Sequence, residues 1–229
     1  MAEEAVLDLR QFDLAGGKRS NLRAMINKAA KSGMTVRRYE LSEKPDPAID
    51  EQLEAISQEW LEEKRIGELG FTLGRFSLEA IRNLPVFIAV REERVEAFCS
   101  WLLYRNGKAV VLDLMRKRKD SVAGTMDFLI GQALLQLKSM GYEEASLANA
   151  PLANVSEVRG PLDRGVALLF ENMNSFYGYK NLFQFKKKFA PRWEGRYLIY
   201  PKNAALPRVA YALARVHSSG GLIQMIARK

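Results

Sequence analysis

The sequence predicts an α+β fold with a mixed central sheet flanked by helices, and three observations carry that expectation. Pro85–Arg91, Val95–Tyr104 and Lys108–Met115 read as a three-stranded antiparallel meander with tight turns at Glu92-Glu93 and Asn106-Gly107. Asn-Gly between two apolar runs is a strong hairpin signal, because both turn positions need φ > 0. A helix-length segment then leads to another strand, Glu144–Asn149, and a strand–helix–strand step of that length implies parallel pairing through a right-handed crossover. Lastly, Lys108–Met115 is apolar at almost every position until Asp113, as expected of a strand covered on both faces at the centre of a sheet.

In chain order, residues 4–9 alternate weakly and read as a strand whose partners lie elsewhere, before Gly16-Gly17 breaks the chain. From Lys18 to Lys31, Leu22, Met25, Ile26 and Ala29 recur at helical spacing with Arg19, Arg23 and Lys28 on other faces, and Gly33 closes the helix. Met34–Leu41 reads as a strand and Pro45–Pro47 as a break. Ile49–Lys64 reads as an acidic amphipathic helix with Leu53, Ile56, Trp60 and Leu61 repeating. Gly70–Phe76 is a glycine-bounded loop with two aromatics, of a kind that packs as a lid or lines a substrate slot. Ser121 is the expected N-cap of a helix running to about Met140 and ending at Gly141. Leu162–Tyr177 reads as a helix, Trp193–Tyr200 as a late strand, and Leu206–Val216 as an amphipathic helix carrying Arg208 and Arg215. Such a helix either rests on an anionic surface or packs on the domain.

Of 229 residues, 48% are hydrophobic and 27% charged, which is ordinary for a globular chain. The net charge of +8 is unevenly spread. Windows 17–38, 116–119 and 180–202 carry +7, +4 and +6, leaving −9 for the remainder. Basic surfaces of that kind suit phosphates of nucleic acid or lipid headgroups, and otherwise serve as solubilising helix faces. A single cysteine, Cys99, allows neither an internal disulfide nor a Cys-based zinc site, which fits a reducing compartment. The lone histidine, His217, removes most histidine-dependent chemistry, and no metal site is expected. No run reaches the roughly 18 apolar residues of a membrane span, and the start lacks the features of a secretory signal. The chain as given reads as soluble and able to touch a membrane.

Asp113 stands out in its apolar strand because a carboxylate there is expensive to bury. Three residues before Arg116 and the run Lys117-Arg118-Lys119, it reads as part of a site. The alternative is an Asp113–Arg116 ion pair at a strand end.

The order of meander, helix, parallel strand, helix and final strand resembles the acyltransferase fold known as GNAT. In that fold pantetheine lies beside the central strand, with its phosphates on the amides that open the next helix. The usual Arg/Gln-x-x-Gly-x-Gly/Ala loop is expected around residues 116–126, and Arg116–Met126 lacks that spacing. A conventional acetyl-CoA enzyme is therefore disfavoured, and no cofactor is expected.

Asp113-Leu-Met-Arg116, Met126–Leu129, Ala150–Leu152, Phe176–Lys180 and Phe185–Tyr197, with the earlier Gly17–Arg23 and Gly70–Phe76, resemble the C-terminal catalytic region of bacterial phosphatidylglycerol lysyltransferases, the multiple peptide resistance factor group. The agreement runs in order over most of residues 15–200. The resemblance implies the second of two GNAT-like lobes, which take an aminoacyl group, lysyl or alanyl, from charged tRNA and place it on the glycerol hydroxyl of phosphatidylglycerol. It also implies partners: an upstream lobe, a transmembrane domain and the cytoplasmic face of the bacterial inner membrane. The expected division is residues 1–40 as linker strand and basic helix, 41–203 as catalytic lobe and 204–229 as C-terminal helix and tail.

By position, Asp113 and Arg116 match residues that the family needs for activity, and Lys180 matches another. The family often has Arg where this chain has Phe183. Tyr179, Lys186, Lys188, Arg23, Phe71 and Arg75 complete the expected substrate-binding set. Aminoacyl-tRNA is already an activated ester, so transfer needs orientation, removal of the hydroxyl proton and oxyanion stabilisation, with no covalent intermediate. Asp113 would orient or deprotonate the hydroxyl, or bind the amino group. Arg116 would hold a phosphate bidentately, and Lys180 a second one. Aromatics within Phe176–Tyr200 would stack on the tRNA terminus or fill the core beneath a helix end. Two other readings remain: a GNAT-fold enzyme with another donor or acceptor, including an aminoacyl-lipid hydrolase, and a non-catalytic module that docks on tRNA or anionic membrane.

Overall fold

Among the described residues, strand β5 (Ala109–Lys117) is the fourth of seven strands in one mixed sheet. The computed structural model describes residues 2–64, 76–151 and 179–197, with isolated positions between 199 and 212. Within them the chain runs β1 (Ala2–Asp8), a 3-10 turn (Gly17–Arg19), α1 (Ser20–Ala30), β2 (Thr35–Tyr39), α2 (Pro47–Lys64) and a short α3 (Leu78–Ile81). There follow β3 (Val86–Arg91), β4 (Arg94–Tyr104), β5, α4 (Thr125–Ser139), β6 (Glu144–Pro151), α5 (Tyr179–Lys187) and β7 (Arg192–Arg196). The sheet order is β2-β3-β4-β5-β6-β1-β7.

The expected meander forms, with β3, β4 and β5 antiparallel. Its first turn has two residues, Glu92 and Glu93, at φ 51 and 64. Its second is longer than the Asn-Gly pair suggests. Tyr104 pairs with Ala109, and Arg105, Asn106 and Gly107 all take left-handed φ of 50, 54 and 81. The four-residue loop, two longer than an Asn-Gly turn, is closed by Gly107 N donating to Tyr104 O at 3.1 Å and Lys108 N to Arg105 O at 3.2 Å.

The crossover through α4 brings β6 parallel to β5, as expected. The helix starts four residues later than Ser121, however, with Gly124 at its N-cap. Ser121 instead donates through Oγ to Arg118 O at 2.8 Å, closing the turn that leaves β5. Gly124 sits at φ +93, and a Cβ there would meet Met25 O of α1 at 2.5 Å, so the entry to α4 is set by contact with α1. The strand at the start of the chain finds its partners within this sheet: β1 lies antiparallel between β6 and β7. Residues on both sides of position 40 thus contribute strands to one sheet.

The helices divide between its faces. Leu22, Ile26 and Ala29 of α1 and Leu129, Ile130, Ala133, Leu134 and Leu137 of α4 bury one face with Trp101, Val110 and Leu112. Ile49, Leu53 and Ile56 of α2 cover the other with Phe98 and Leu114. Helix α2 begins with Pro47, while Asp46 Oδ1 accepts from Ala48 N at 3.0 Å, a cap that satisfies one of the unpaired first-turn amides. The mixed α+β, GNAT-like architecture read from the element order is the one observed. The expected helices at 162–177 and 206–216 lie outside the described residues, apart from a few isolated positions in the second. No helix among the described residues is long and apolar enough to cross a membrane.

Candidate functional site

Strands β5 and β6 pair only from Ala109 to Val111, against Glu144 to Ser146. Beyond that point β5 continues to Lys117 and β6 to Pro151, so their carboxyl halves part. On β6 the parting is accompanied by Ala148 at φ 61, whose N donates to Ser146 Oγ at 3.0 Å. An opening between the carboxyl ends of adjacent strands is where α/β sheets commonly admit ligands. Of the residues expected to carry chemistry, Asp113 and Arg116 belong to β5 and Lys186 bonds β6.

One wall is β5, which carries a bulge. Cys99 faces Met115 and Trp101 faces Leu112, so Asp113 and Leu114 together oppose Ser100. Residues three apart in a regular strand point to opposite faces. The extra residue resets the alternation, and Asp113 and Arg116 both emerge on the face that α2 covers. Asp113 is half-buried and accepts from Ser100 Oγ at 3.3 Å. The same oxygen accepts from Leu114 N at 3.3 Å.

Arg116 is 2% exposed and lies inside the protein rather than on its surface. Its Nη1 donates to Ser57 Oγ of α2. The guanidinium carbon stands 4.6 Å from the ring centroid of Trp60 and 5.7 Å from that of Phe76. A weakly hydrated planar cation is suited to such a stacked, desolvated position. The basic run after it is largely tied to the chain. Arg118 donates to Val95 O at 2.8 Å and to Glu59 Oε1 at 3.1 Å. Lys117 Nζ donates to Ser121 Oγ at 3.1 Å.

The other wall is β6 with α5 against it. Lys186 is 3% exposed, and its Nζ donates to Asn149 O at 2.7 Å. Burial pulls its pKa down to about 7, against the opposing pull of the Glu4 carboxylate. Glu4 is in turn held by Ser146 Oγ and by Arg196, whose Nε lies 2.6 Å from Oε2. Ser100 of β4, beside the β5 wall, and Ser146 of β6 are thus both buried serines that accept from an irregular backbone amide and donate to a carboxylate.

The remaining expected site residues divide into two groups. Lys188 Nζ is paired with Asp127 of α4, a carboxylate only 5% exposed, and lies 5.1 Å from the Phe185 ring centroid. Arg23 donates to Leu14 O at 2.7 Å and Gly16 O at 2.6 Å, pinning the segment that enters α1. These two, like Lys186, have partners inside the chain rather than standing free as surface cations. Tyr179 and Lys180 open α5, but their side chains lie outside the described residues, as do Phe71 and Arg75. The aromatics around α5 pack, with Phe183 and Trp193 centroids 4.7 Å apart and Phe185 and Phe189 5.4 Å apart.

Sequence reasoning missed Ser57, Ser100 and Glu4. Ser57 lies on the apolar stripe formed by Ile49, Leu53, Ile56 and Trp60, and Ser100 interrupts the apolar run Ala97–Leu103. A small hydroxyl on a buried face needs a partner. That was the available signal, though it does not name the partner.

Known proteins resemble this chain in sequence and in fold. The family described as phosphatidylglycerol lysyltransferase, C-terminal, matches residues 1–200. The phosphatidylglycerol lysyltransferase of Bacillus subtilis is 34% identical over 221 residues, 94% of this chain and 25% of the relative. That of Staphylococcus haemolyticus is 33% identical over 210 residues, 90% of this chain and 24% of the relative. Among solved structures, L-PGS from Bacillus licheniformis superposes with a TM-score of 0.80 at 32% identity, over 95% of this chain and 66% of that one. The C-terminal domain of a lysylphosphatidylglycerol synthetase from Agrobacterium fabrum gives 0.80 at 32%, over 96% and 66%. This chain thus spans about a quarter of the length of its curated relatives. With a match over residues 1–200 of 229, the chain belongs to the phosphatidylglycerol lysyltransferase C-terminal family.

Proposed function

We propose that this chain is the catalytic lobe of an aminoacyl-tRNA-dependent phosphatidylglycerol aminoacyltransferase, moving a lysyl or alanyl group onto the glycerol hydroxyl of the lipid. The observation that carries the reading is a bulge that turns Asp113 and Arg116 to one face beside the parted ends of β5 and β6, in a chain of this family. The lipid hydroxyl oxygen attacks the aminoacyl carbonyl carbon, the ester bond to the terminal ribose breaks, and the ribose oxygen leaves with a proton. No histidine stands among the described residues, so Asp113 takes the hydroxyl proton or holds the hydroxyl for attack. Arg116 supplies positive charge from within the protein. Lys186, with a pKa of about 7 on the opposite wall, is a group able to exchange a proton at neutral pH. Lys180 holds a phosphate of the tRNA terminus or the lipid. An upstream lobe and a membrane domain at the cytoplasmic face of the inner membrane complete the working protein.

The test is transfer of labelled lysine or alanine from charged tRNA into phosphatidylglycerol vesicles by the chain joined to its upstream domains, read by thin-layer chromatography. A labelled lipid product is expected with one of the two amino acids. Release of free amino acid without labelled lipid would replace transfer by hydrolysis, and binding of tRNA without turnover would favour a docking module.

A further inference from the structure

We propose that Ser100 is a positioning residue for the reaction, fixing the Asp113 carboxylate through its hydroxyl; the inference rests on the reading of Asp113 given above. The bulge places two residues, Asp113 and Leu114, opposite Ser100 alone. Such an irregularity takes a backbone amide out of the ladder, and a buried amide requires another acceptor. Ser100 is fully buried and its Oγ is that acceptor, 3.3 Å from Leu114 N. A hydroxyl carries a single proton. With the Leu114 amide engaging a lone pair of the oxygen, that proton is directed to Asp113 Oδ2, also at 3.3 Å. One side chain therefore joins the backbone distortion that turns Asp113 toward the α2 face to the rotamer of the carboxylate itself.

Ser146 on β6 repeats the arrangement. It too is fully buried, accepts from Ala148 N at 3.0 Å and donates to Glu4. The repeated use beside both strands that part, on β4 next to β5 and on β6 itself, argues against a hydroxyl that merely fills space. A catalytic carboxylate must be held within a narrow range of orientation, and a small misplacement has a large kinetic effect.

The experiment compares Ser100→Ala and Ser100→Thr with wild type in the protein carrying its upstream domains, with Asp113→Asn as control. Labelled charged tRNA and phosphatidylglycerol vesicles serve as substrates, and rates are taken per folded molecule. Ser100→Ala is expected to lower kcat roughly 10-fold to 100-fold with KM for either substrate within about 2-fold, and Ser100→Thr to recover most of the loss. In the Asp113→Asn background Ser100→Ala should cost nothing further, because the group it orients is gone. If Ser100→Ala fails to fold, Ser100→Cys, which keeps the shape but donates weakly, is expected to show the same fall in kcat. Wild-type kcat in the folded Ala or Cys variant, while Asp113→Asn is inactive, would overturn the positioning role alone. Wild-type kcat in Asp113→Asn would overturn the reading on which it rests.

Discussion

The guanidinium of Arg116 lies over the ring of Trp60, 4.6 Å from its centroid, so the end of β5 and the face of α2 are joined through a buried charge. Ser57 Oγ accepts from the same side chain. Arg116→Lys keeps the charge and loses the plane and the fork of donors. It should lower stability by about 1–2 kcal/mol, from the weakened stacking and hydrogen bond. Transfer should fall at least about 10-fold, as expected when a preorganised donor is displaced. Trp60→Phe, which keeps an aromatic face, should be milder on both measures. Denaturant midpoints and steady-state rates check the pair, and an Arg116→Lys protein with wild-type rates would take the guanidinium out of the site.

Asp113→Asn should leave the fold intact, since the amide still accepts from Ser100 Oγ. Turnover should fall by roughly 10²-fold or more. Circular dichroism and labelled-lipid formation measured on one preparation separate the two effects. Activity within a few-fold of wild type would remove Asp113 from proton transfer.

Lys186 makes stability depend on pH with a definite sign. A solvated lysine holds its proton to about 10.5, whereas the folded protein holds this one only to about 7. Between those values the unfolded chain binds the extra proton, so stability rises with pH from about 7 to about 10. The cost of burying the charge is present in full below that window. Its upper bound is about 5 kcal/mol across the window, at 1.36 kcal/mol per unit. Lys186→Met should remove the slope in urea midpoints taken from pH 6.5 to 10. An unchanged slope would mean that Lys186 stays charged.

Lys188→Ala would strand Asp127, which is 5% exposed, without its cation. Loss of one partner of a buried pair costs about 3–5 kcal/mol, and the 28% exposure of the lysine side chain places this pair at or below the low end. KM for charged tRNA and lipid should stay within about 2-fold of wild type, since the ammonium is directed to α4. A protein of wild-type stability with a tenfold higher KM would return Lys188 to the substrate-binding set.

Gly124→Ala should be strongly destabilising, by about 2–4 kcal/mol, because it adds a left-handed φ penalty to a close contact. The new Cβ would lie 2.5 Å from Met25 O, a backbone atom with little freedom to move. Thermal denaturation measures it directly. A loss under about 0.5 kcal/mol would show that α1 and α4 separate easily at this point.

Local pattern was enough for the core of the fold. Apolar runs, the turn at Asn106-Gly107 and a helix-length crossover made the meander and the parallel β5–β6 step legible, because strand pairing of this kind is governed by neighbouring sequence. The start of α4 was not legible. Ser121 has the chemistry of a cap, yet the helix begins after Gly124, where α1 comes close enough to exclude a side chain. For the site, composition and periodicity singled out Asp113 as a carboxylate out of place in an apolar strand. That it shares a face with Arg116 runs against the spacing, which in a regular strand separates the two. Only the pairing with β4, and the extra residue it forces opposite Ser100, brings them together. Arg23, Lys186 and Lys188 read as cations suited to a phosphate, and their partners in the fold, Leu14 O and Gly16 O, Asn149 O and Asp127, could not be read from charge. The sequence by itself determined which residue types were available and in what local structure. Which partner each of them took was decided by tertiary burial, since a polar group taken out of water must find a partner and takes the one within reach.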